Sequence, residues 1–218
     1  MTEFYRPAQR ELQDHHDTRP LADRLTLAII REELDDAAAG FIASSDFFFL
    51  STVDDLGQPT VSHKGGAPGF VQVLDPATLL FPNYNGNGMY LSMGNIAGSA
   101  LIGMLFMDFE TPHRIRVQAR ATIRTDDDAI AAFPGADMAV EARISRVFVN
   151  CPRYIHRHAR VAPSPYVPDA DGNAPLPGWK RIDAVQDVLT PDDAARVAGA
   201  GGTMTRDAYM DRVKSGDG

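Results

Sequence analysis

Alternation of apolar and polar residues marks a series of short strands in the middle of the chain. Residues 115–124 alternate apolar side chains with arginine and glutamine, which is typical of a strand with one buried face. Residues 47–53 are apolar almost throughout and indicate a buried strand. Further strands are predicted at residues 59–64, 70–74, 78–81, 99–107 and 139–150. Six or seven short strands separated by turns are typical of a β-barrel or a β-sandwich.

Helical spacing appears on both sides of this strand-rich segment and once within it. Apolar residues recur at helical spacing after Pro20, and residues 37–42 predict a second short helix. We expect these helices to pack on the outside of the strands. Residues 89–97 predict a helix inside the segment, and Thr190 is a favourable cap for a later one. Residues 162–178 hold five prolines and predict an irregular loop.

The pattern divides the chain into three parts. Residues 1–45 are interpreted as an N-terminal helical extension, and residues 46–159 as a β-barrel domain. Residues 160–218 are interpreted as a proline-rich loop and C-terminal helices packed on the barrel. The predicted fold class is therefore mainly β with flanking helices (α+β).

Composition narrows the classes of function. The 218 residues are 44% hydrophobic and 23% charged, which is ordinary for a globular protein. The formal net charge of -8 argues against nucleic acid and against an anionic membrane surface as partners. One cysteine permits no internal disulfide, and the charged first residues do not form a signal peptide. We therefore predict a cytoplasmic protein.

Two segments have residues suited to binding an anion. The sequence Ser62-His63-Lys64-Gly65-Gly66 ends a predicted strand, and its glycines allow a ligand to approach the backbone while Lys64 supplies positive charge. The glycine- and asparagine-rich loop at residues 83–88 leads into a predicted helix, whose N-terminus favours an anion. The alternatives are a solvated lysine beside a flexible turn, and an ordinary tight turn.

Arginine, histidine and cysteine side chains supply further candidates. Arg114 and Arg116 are two residues apart on a strand and share a face, where they belong to a solvated stripe or reach a ligand of a neighbouring subunit. Cys151, His156 and His158 match no standard zinc spacing, so we predict no metal site. Cys151 is expected to be a small buried apolar residue.

Taken together, these segments resemble the pyridoxamine 5′-phosphate oxidase-related flavin-binding proteins. The resemblance covers about residues 41–155, with a weaker similarity over residues 179–189. The matching segments come in the family's order at residues 48–53, 57–59, 61–65, 68–70, 79–82, 86–87, 92–96, 101–106 and 114–121. The most specific match is the late signature at residues 147–155, which reads Val-Phe-Val-Asn-Cys-Pro-Arg-Tyr-Ile.

The resemblance implies an FMN-binding split β-barrel that is a homodimer, with flavin mononucleotide (FMN) at two sites in the interface. Open sheet edges and apolar strands that need cover also favour a two-fold dimer. Lys64 is expected near the flavin ring or the phosphate, and Arg116 and Arg153 are expected to reach the site from the partner chain. The residues implied to bind the cofactor are Ser62, His63, Lys64, Gly65, Asn83, Asn87, Ser92, Arg116 and Arg153.

Two departures from the family pattern bear on the activity. Gly88 and Met89 follow the Gly-Asn pair at residues 86–87, where many relatives carry an arginine that holds the phosphate. Trp179-Lys180-Arg181 is not the arginine-rich substrate motif of the vitamin-oxidising members. The second departure argues against pyridoxamine phosphate as the substrate.

The predicted function is an FMN-dependent oxidoreductase that acts on an unidentified small molecule, with no catalytic side chain assigned. This prediction agrees with the absence of a recognisable triad, because the flavin would carry the redox chemistry. The alternatives are a non-enzymatic flavin-binding or storage protein, and a haem-binding protein on the same barrel with His63, His156 or His158 as axial ligand. A deazaflavin is a further alternative cofactor.

Overall fold

The computed structural model describes residues 4–216, which form two compact units, residues 4–162 and residues 163–216. Residues 1–3 of the predicted extension and residues 217–218 of the predicted C-terminal part lie outside the described residues. The three-part division of the chain stays a prediction. Within residues 4–216, no helix has both the length and the apolar character needed to cross a bilayer.

The first unit is built on one antiparallel sheet, which confirms the predicted fold class. Its strands, in the sheet order β2-β1-β5-β6-β7-β4-β3, pair antiparallel throughout. All seven predicted strands are present, at β1 Phe47–Val53, β2 Pro59–Gly65, β3 Gln72–Asp75, β4 Thr78–Tyr84, β5 Leu101–Asp108, β6 His113–Arg124 and β7 Ala136–Val149. Two bounds differ from the predictions in a way that matters below: β4 extends to Tyr84, and β7 begins three residues early.

The sheet rolls up around one main core, as a barrel requires. Phe48 on β1 and Phe81 on β4 meet edge to face with ring centroids 5.1 Å apart. Three strands separate β1 from β4 in the sheet order, so the two rings meet only because the sheet curls back on itself. Phe70 and Phe106 also pack on Phe48, at 5.9 and 5.1 Å. This aromatic cluster is fully or nearly fully buried.

Helix α4 (Leu91–Ser99) contributes to the same core, while the helices before the sheet differ in how much they bury. The earlier helices are α1 (Pro7–His15), α2 (Arg19–Ile29) and α3 (Asp36–Ser44), of which α1 was not predicted. Helix α3 buries Ala38 and Ile42, but neither α1 nor α2 buries any residue. The expectation that α2 packs its apolar stripe against the strands is therefore wrong, and Leu21 is 59% exposed. Ion pairs such as Arg10–Asp23, at 2.6 Å, link α1 to α2 instead.

Helix α4 buries Met93 and Ile96 in the core of the sheet. Two of its polar side chains face strand β1, where Asn95 Nδ2 donates to Thr52 Oγ1 at 3.0 Å and Ser99 Oγ donates to the carbonyl of Val53 at 2.8 Å. A short helix α5 (Asp127–Ala131) precedes β7 and packs with Phe133 on the other face of β4 and β7.

The second unit contains two 3-10 helices, Gly178–Arg181 and Asp183–Val188, followed by α6 (Pro191–Gly199) and α7 (Arg206–Ser215). The predicted irregular loop is confirmed, because residues 163–177 form no helix or strand. Thr190 caps α6 as predicted, accepting a hydrogen bond from the backbone N–H of Asp193 at 3.2 Å. The Nζ of Lys180 donates to both carboxylate oxygens of Asp193 at 2.8 Å, and both residues are buried.

The buried ion pair between Lys180 and Asp193 leads to a prediction about stability. We expect Lys180→Met to destabilise the second unit by about 3–5 kcal/mol, because it leaves the carboxylate of Asp193 buried without its partner. The measurement is urea unfolding followed by the fluorescence of Trp179, the single tryptophan of the chain. Lys214→Met is the matched control, since Lys214 pairs with Asp211 on the surface and is 73% exposed. Equal midpoints for the two variants would contradict the prediction.

Candidate functional site

The pleat of strand β2 separates the predicted residues of the motif at 62–65 into two sets. Ser62 and Lys64 lie opposite Leu50 and Phe48 of β1, so they point to the core side of the sheet and are half-buried. His63 lies opposite Phe49 on the outer side and is exposed. Successive residues of a strand alternate faces, so His63 cannot share the surroundings of its two neighbours within one chain.

Ser62 joins this strand to the first turn of α4. The hydroxyl oxygens of Ser62 and Ser92 are 3.1 Å apart, within hydrogen-bond distance, and Ser92 is buried. No side chain caps the start of α4, and its cap residue Tyr90 has a left-handed backbone (φ 49) that a tyrosine adopts only at a cost in strain. The structure thus brings Ser62, Lys64 and the start of α4 together at one end of the barrel.

Asn83 is held at the same end by a carboxylate that the sequence did not single out. The Nδ2 of Asn83 donates to Oδ1 of Asp137 at 2.8 Å, and the hydroxyl of Tyr90 donates to Oδ2 of the same carboxylate at 3.3 Å. Asn83 pairs with Met138 and Tyr84 pairs with Ala136, so Asp137 is the extra residue of a β-bulge. Bulges redirect a side chain from its regular position, and here the bulge aims Asp137 at two polar groups.

The electrostatics of Lys64 follow from its burial and from Asp137. Burial lowers the pKa of Lys64 below its usual value of 10.5, and the negative charge of Asp137 opposes that shift. The same negative charge is the main cause that raises the pKa of Tyr90. Lys64 is therefore a cation kept partly out of water beside an anion, and it would gain from a second anionic partner.

Gly65 and Asn87 have local roles in the chain as it stands. A Cβ added to Gly65 would lie 2.9 Å from Cε1 of His63, so the glycine allows that ring to fold close to the backbone. Asn87 is exposed and accepts a hydrogen bond from the backbone N–H of Met89 at 3.0 Å. Asn87 is thus used within its own turn, where Gly88 has φ 77, and it contacts none of the residues gathered around Asp137 in the described hydrogen bonds.

Arg116 and Arg153 lie outside this cluster. Arg116 is exposed on the outer face of β6, opposite Leu105 on β5 and Phe148 on β7. Arg153 is exposed after the end of β7, with its guanidinium 5.9 Å from the ring centroid of Tyr154. Both positions face solvent in one chain, so any role in the site would need a partner chain.

The cysteine and the late histidines do not form a centre. Cys151 is exposed, which corrects the expectation of a buried apolar residue, because it lies in the irregular segment that follows β7. His158 packs its ring edge to face on Phe109 at 5.3 Å, while His156 is exposed. No three or more potential metal ligands come together within residues 4–216.

The donors at the α4 end of the barrel fit a phosphate ester. A half-buried ammonium group, two hydroxyls in mutual contact and an uncapped helix start are groups that bind a phosphate monoester. Sequence reasoning found Ser62, Lys64, Asn83 and Ser92 but missed Asp137 and Tyr90. Asp137 was missed because the predicted strand began after it, and the bulge that redirects it has no sequence signal here.

The part of the chain that matches known proteins includes the whole sheet. The sequence model of the family described as pyridoxamine 5′-phosphate oxidase matches residues 34–160. No curated protein matches the chain.

Three solved structures illustrate the structural similarity. A putative pyridoxamine 5′-phosphate oxidase from Lactobacillus delbrueckii is 25% identical, with a TM-score of 0.45 over 54% of this chain and 95% of that one. An FMN-binding protein from Syntrophomonas wolfei is 13% identical, with a TM-score of 0.41 over 65% and 97%. HupZ from Group A Streptococcus is 17% identical, with a TM-score of 0.44 over 58% and 99%.

The half-buried ammonium of Lys64 gives a pH-dependent prediction. Because the pKa of Lys64 is lowered by folding, the folded chain releases this proton at a lower pH than the unfolded chain, which keeps it up to about pH 10.5. The wild type therefore gains stability as the pH rises between these two values. Lys64→Met removes the group. We expect the ligand-free variant to melt at a higher temperature than the wild type at neutral pH, with the difference shrinking towards pH 10.5.

The measurement is calorimetric melting of ligand-free protein across this pH range. Lys214→Met is the control, and we expect the difference between its melting temperature and that of the wild type to stay the same across this pH range. A difference between Lys64→Met and the wild type that does not depend on pH would contradict the explanation by burial.

Proposed function

The chain belongs to the pyridoxamine 5′-phosphate oxidase family, and from that premise we propose that it is an FMN-dependent oxidoreductase that acts on a small molecule. The observation that carries the proposal is the contact between Ser62 and Ser92 beside the half-buried Lys64. These residues come from β2 and α4, thirty positions apart, and they supply the donors that the phosphate of FMN requires.

Each residue of the cluster has a proposed part in holding FMN. Lys64 neutralises phosphate charge. One serine hydroxyl donates to the other in their mutual contact, and the second is proposed to donate its proton to a phosphate oxygen. Asn83, whose amide is oriented by Asp137, is proposed to contact the ribityl chain. The uncapped start of α4 adds its backbone dipole. Asn87 is proposed to join the site only after its turn at Gly88 rearranges.

Bound FMN supplies a ring that takes up and releases electrons, so no protein side chain has to change its redox state. The proposed part of the protein is to bind the cofactor at its phosphate end, to orient it and to limit access of water. Because the flavin would carry the electrons and the protein would only bind and orient it, the proposal does not require an acid–base pair of side chains. The substrate is proposed to be a small molecule other than pyridoxamine phosphate, and the cytoplasm stays the predicted location.

The first test is the absorption spectrum of the protein as purified, with mass spectrometry of the released ligand. Flavin bands together with the mass of FMN are the expected result, and turnover of a reduced nicotinamide with an electron acceptor would then separate an enzyme from a storage protein. A Soret band would replace the proposal by haem binding. A colourless protein that does not bind added FMN would refute the proposal.

We also propose that the chain forms a homodimer through the outer face of the sheet. A row of residues crosses five strands on that face, in the order His63, Phe49, Leu105, Arg116 and Phe148. The row places apolar side chains at its centre, and Phe47, stacked with His63 at 5.5 Å, widens the apolar patch. Burial of this face against a second copy would cover the patch and would carry Arg116 towards the partner's FMN.

The dimer proposal predicts the effect of a charge at the centre of the row. We expect Leu105→Asp to sediment as a monomer while the wild type sediments as a dimer, because a carboxylate buried in the interface loses its hydration even with Arg116 opposite it. FMN affinity is expected to fall at least about tenfold, since part of each site would be lost. Leu56→Asp is the control, because Leu56 lies in the turn between β1 and β2 and is 89% exposed. A wild type that sediments as a monomer would refute the proposal.

A further inference from the structure

Asp137 stands out as the residue of the cluster that works against binding a phosphate. Its carboxylate lies next to groups that otherwise suit an anion, and its charge acts on Lys64. We infer that Asp137 sets the ligand preference of this site, by reducing the advantage of FMN over unphosphorylated flavin to a small factor. The inference rests on the proposed function, because it assumes that the flavin phosphate lies beside Lys64.

The position of Asp137 is fixed by the backbone and by two hydrogen bonds. The bulge between β4 and β7 turns its side chain towards Asn83, and that amide is buried. The second carboxylate oxygen accepts from the hydroxyl of Tyr90, the cap residue of α4. An exposed carboxylate without such partners could swing away from an arriving phosphate. This one is held by contacts with β4 and with the start of α4.

The negative charge of Asp137 opposes the attraction of Lys64 for a phosphate. Lys64 contributes one positive charge and Asp137 one negative charge, so the pair attracts a dianion less strongly than Lys64 would alone. Gly88 and Met89 add no charge in the loop that follows β4. The phosphate is otherwise held by hydrogen bonding from the serine pair and the helix start, which is weaker than binding by paired cations. Riboflavin, which lacks the phosphate, meets none of this repulsion.

Asp137→Asn tests the inference with little change of shape. The asparagine Oδ1 can still accept from Asn83, and its Nδ2 can donate to the hydroxyl oxygen of Tyr90, so both hydrogen bonds are kept while the charge is removed. We expect FMN to bind about five- to tenfold more tightly at low salt, with riboflavin affinity changed less than about twofold. The measurement is flavin fluorescence quenching on titration of ligand-free protein with each flavin.

A control variant and a salt titration test whether the change in FMN affinity is caused by the charge of Asp137 or by a change of shape. Asp55→Asn makes the same change of net charge in the exposed turn after β1 and is expected to leave both affinities unchanged. The gain in FMN affinity of Asp137→Asn should shrink at high salt, because Asp137 is accessible to screening ions, whereas an effect of shape would persist. Asp137→Ser replaces Asp137→Asn if that variant does not fold, and it is expected to change the FMN-to-riboflavin ratio in the same direction.

The outcomes distinguish this inference from the proposed function. Wild-type protein that binds both flavins within about tenfold of each other, with a ratio that rises in Asp137→Asn, supports the inference. The inference would be overturned if the protein bound both flavins and Asp137→Asn left the FMN-to-riboflavin affinity ratio unchanged. It would also be overturned if the wild type already preferred FMN by far more than about tenfold. Either result would leave the proposed function standing. Failure of the wild type to bind either flavin would overturn both.

Discussion

Strand β1 is the constraint on which the rest of the barrel depends, because it is hydrogen-bonded on both sides and apolar on both faces. Its even-numbered residues, Phe48, Leu50 and Thr52, are buried in the core. Its odd-numbered residues, among them Phe47 and Phe49, face outward and stay half-exposed. A strand with one solvated face would alternate apolar and polar residues. The apolar run at residues 47–50 departs from that pattern, which favours the dimer proposed through the outer face.

The same pleat decides how the candidate site is assembled. The register of β1 with β2 transfers the inward and outward alternation to Ser62, His63 and Lys64, and it places the serine and the lysine on the side where α4 begins. His63 is carried to the outer face with Arg116. One chain therefore has the proposed phosphate donors on one side of the sheet, while Arg116, which is proposed to reach the partner's site, lies on the other. This separation is the physical reason for linking the site to a dimer.

Electrostatic compromise is the second feature that shapes the site. The chain has three lysines, of which Lys64 lies in the first unit and is half-buried. Burial disfavours its charged form and lowers its pKa. Its nearby counter-charge, Asp137, is engaged with Asn83 and Tyr90 rather than in a short ion pair with the lysine. Lys64 is thus left able to take an anionic partner, while Asp137 limits how strongly that partner is held. The second unit shows the opposite solution, since Lys180 and Asp193 are buried and bonded to each other at 2.8 Å.

The sequence by itself determined the strands, the fold class, the family resemblance and the cap of α6, because each depends on local periodicity or on neighbouring residues. Ser62, Lys64 and Ser92 were found in this way, through a strand end and a helix start. Only the tertiary structure decided that Ser62 meets Ser92, that His63 faces away from both, and that the apolar stripe of α2 stays exposed. Asp137 shows the reason most clearly: its role comes from a bulge against a strand more than fifty residues away, and no local pattern records the register of two distant strands.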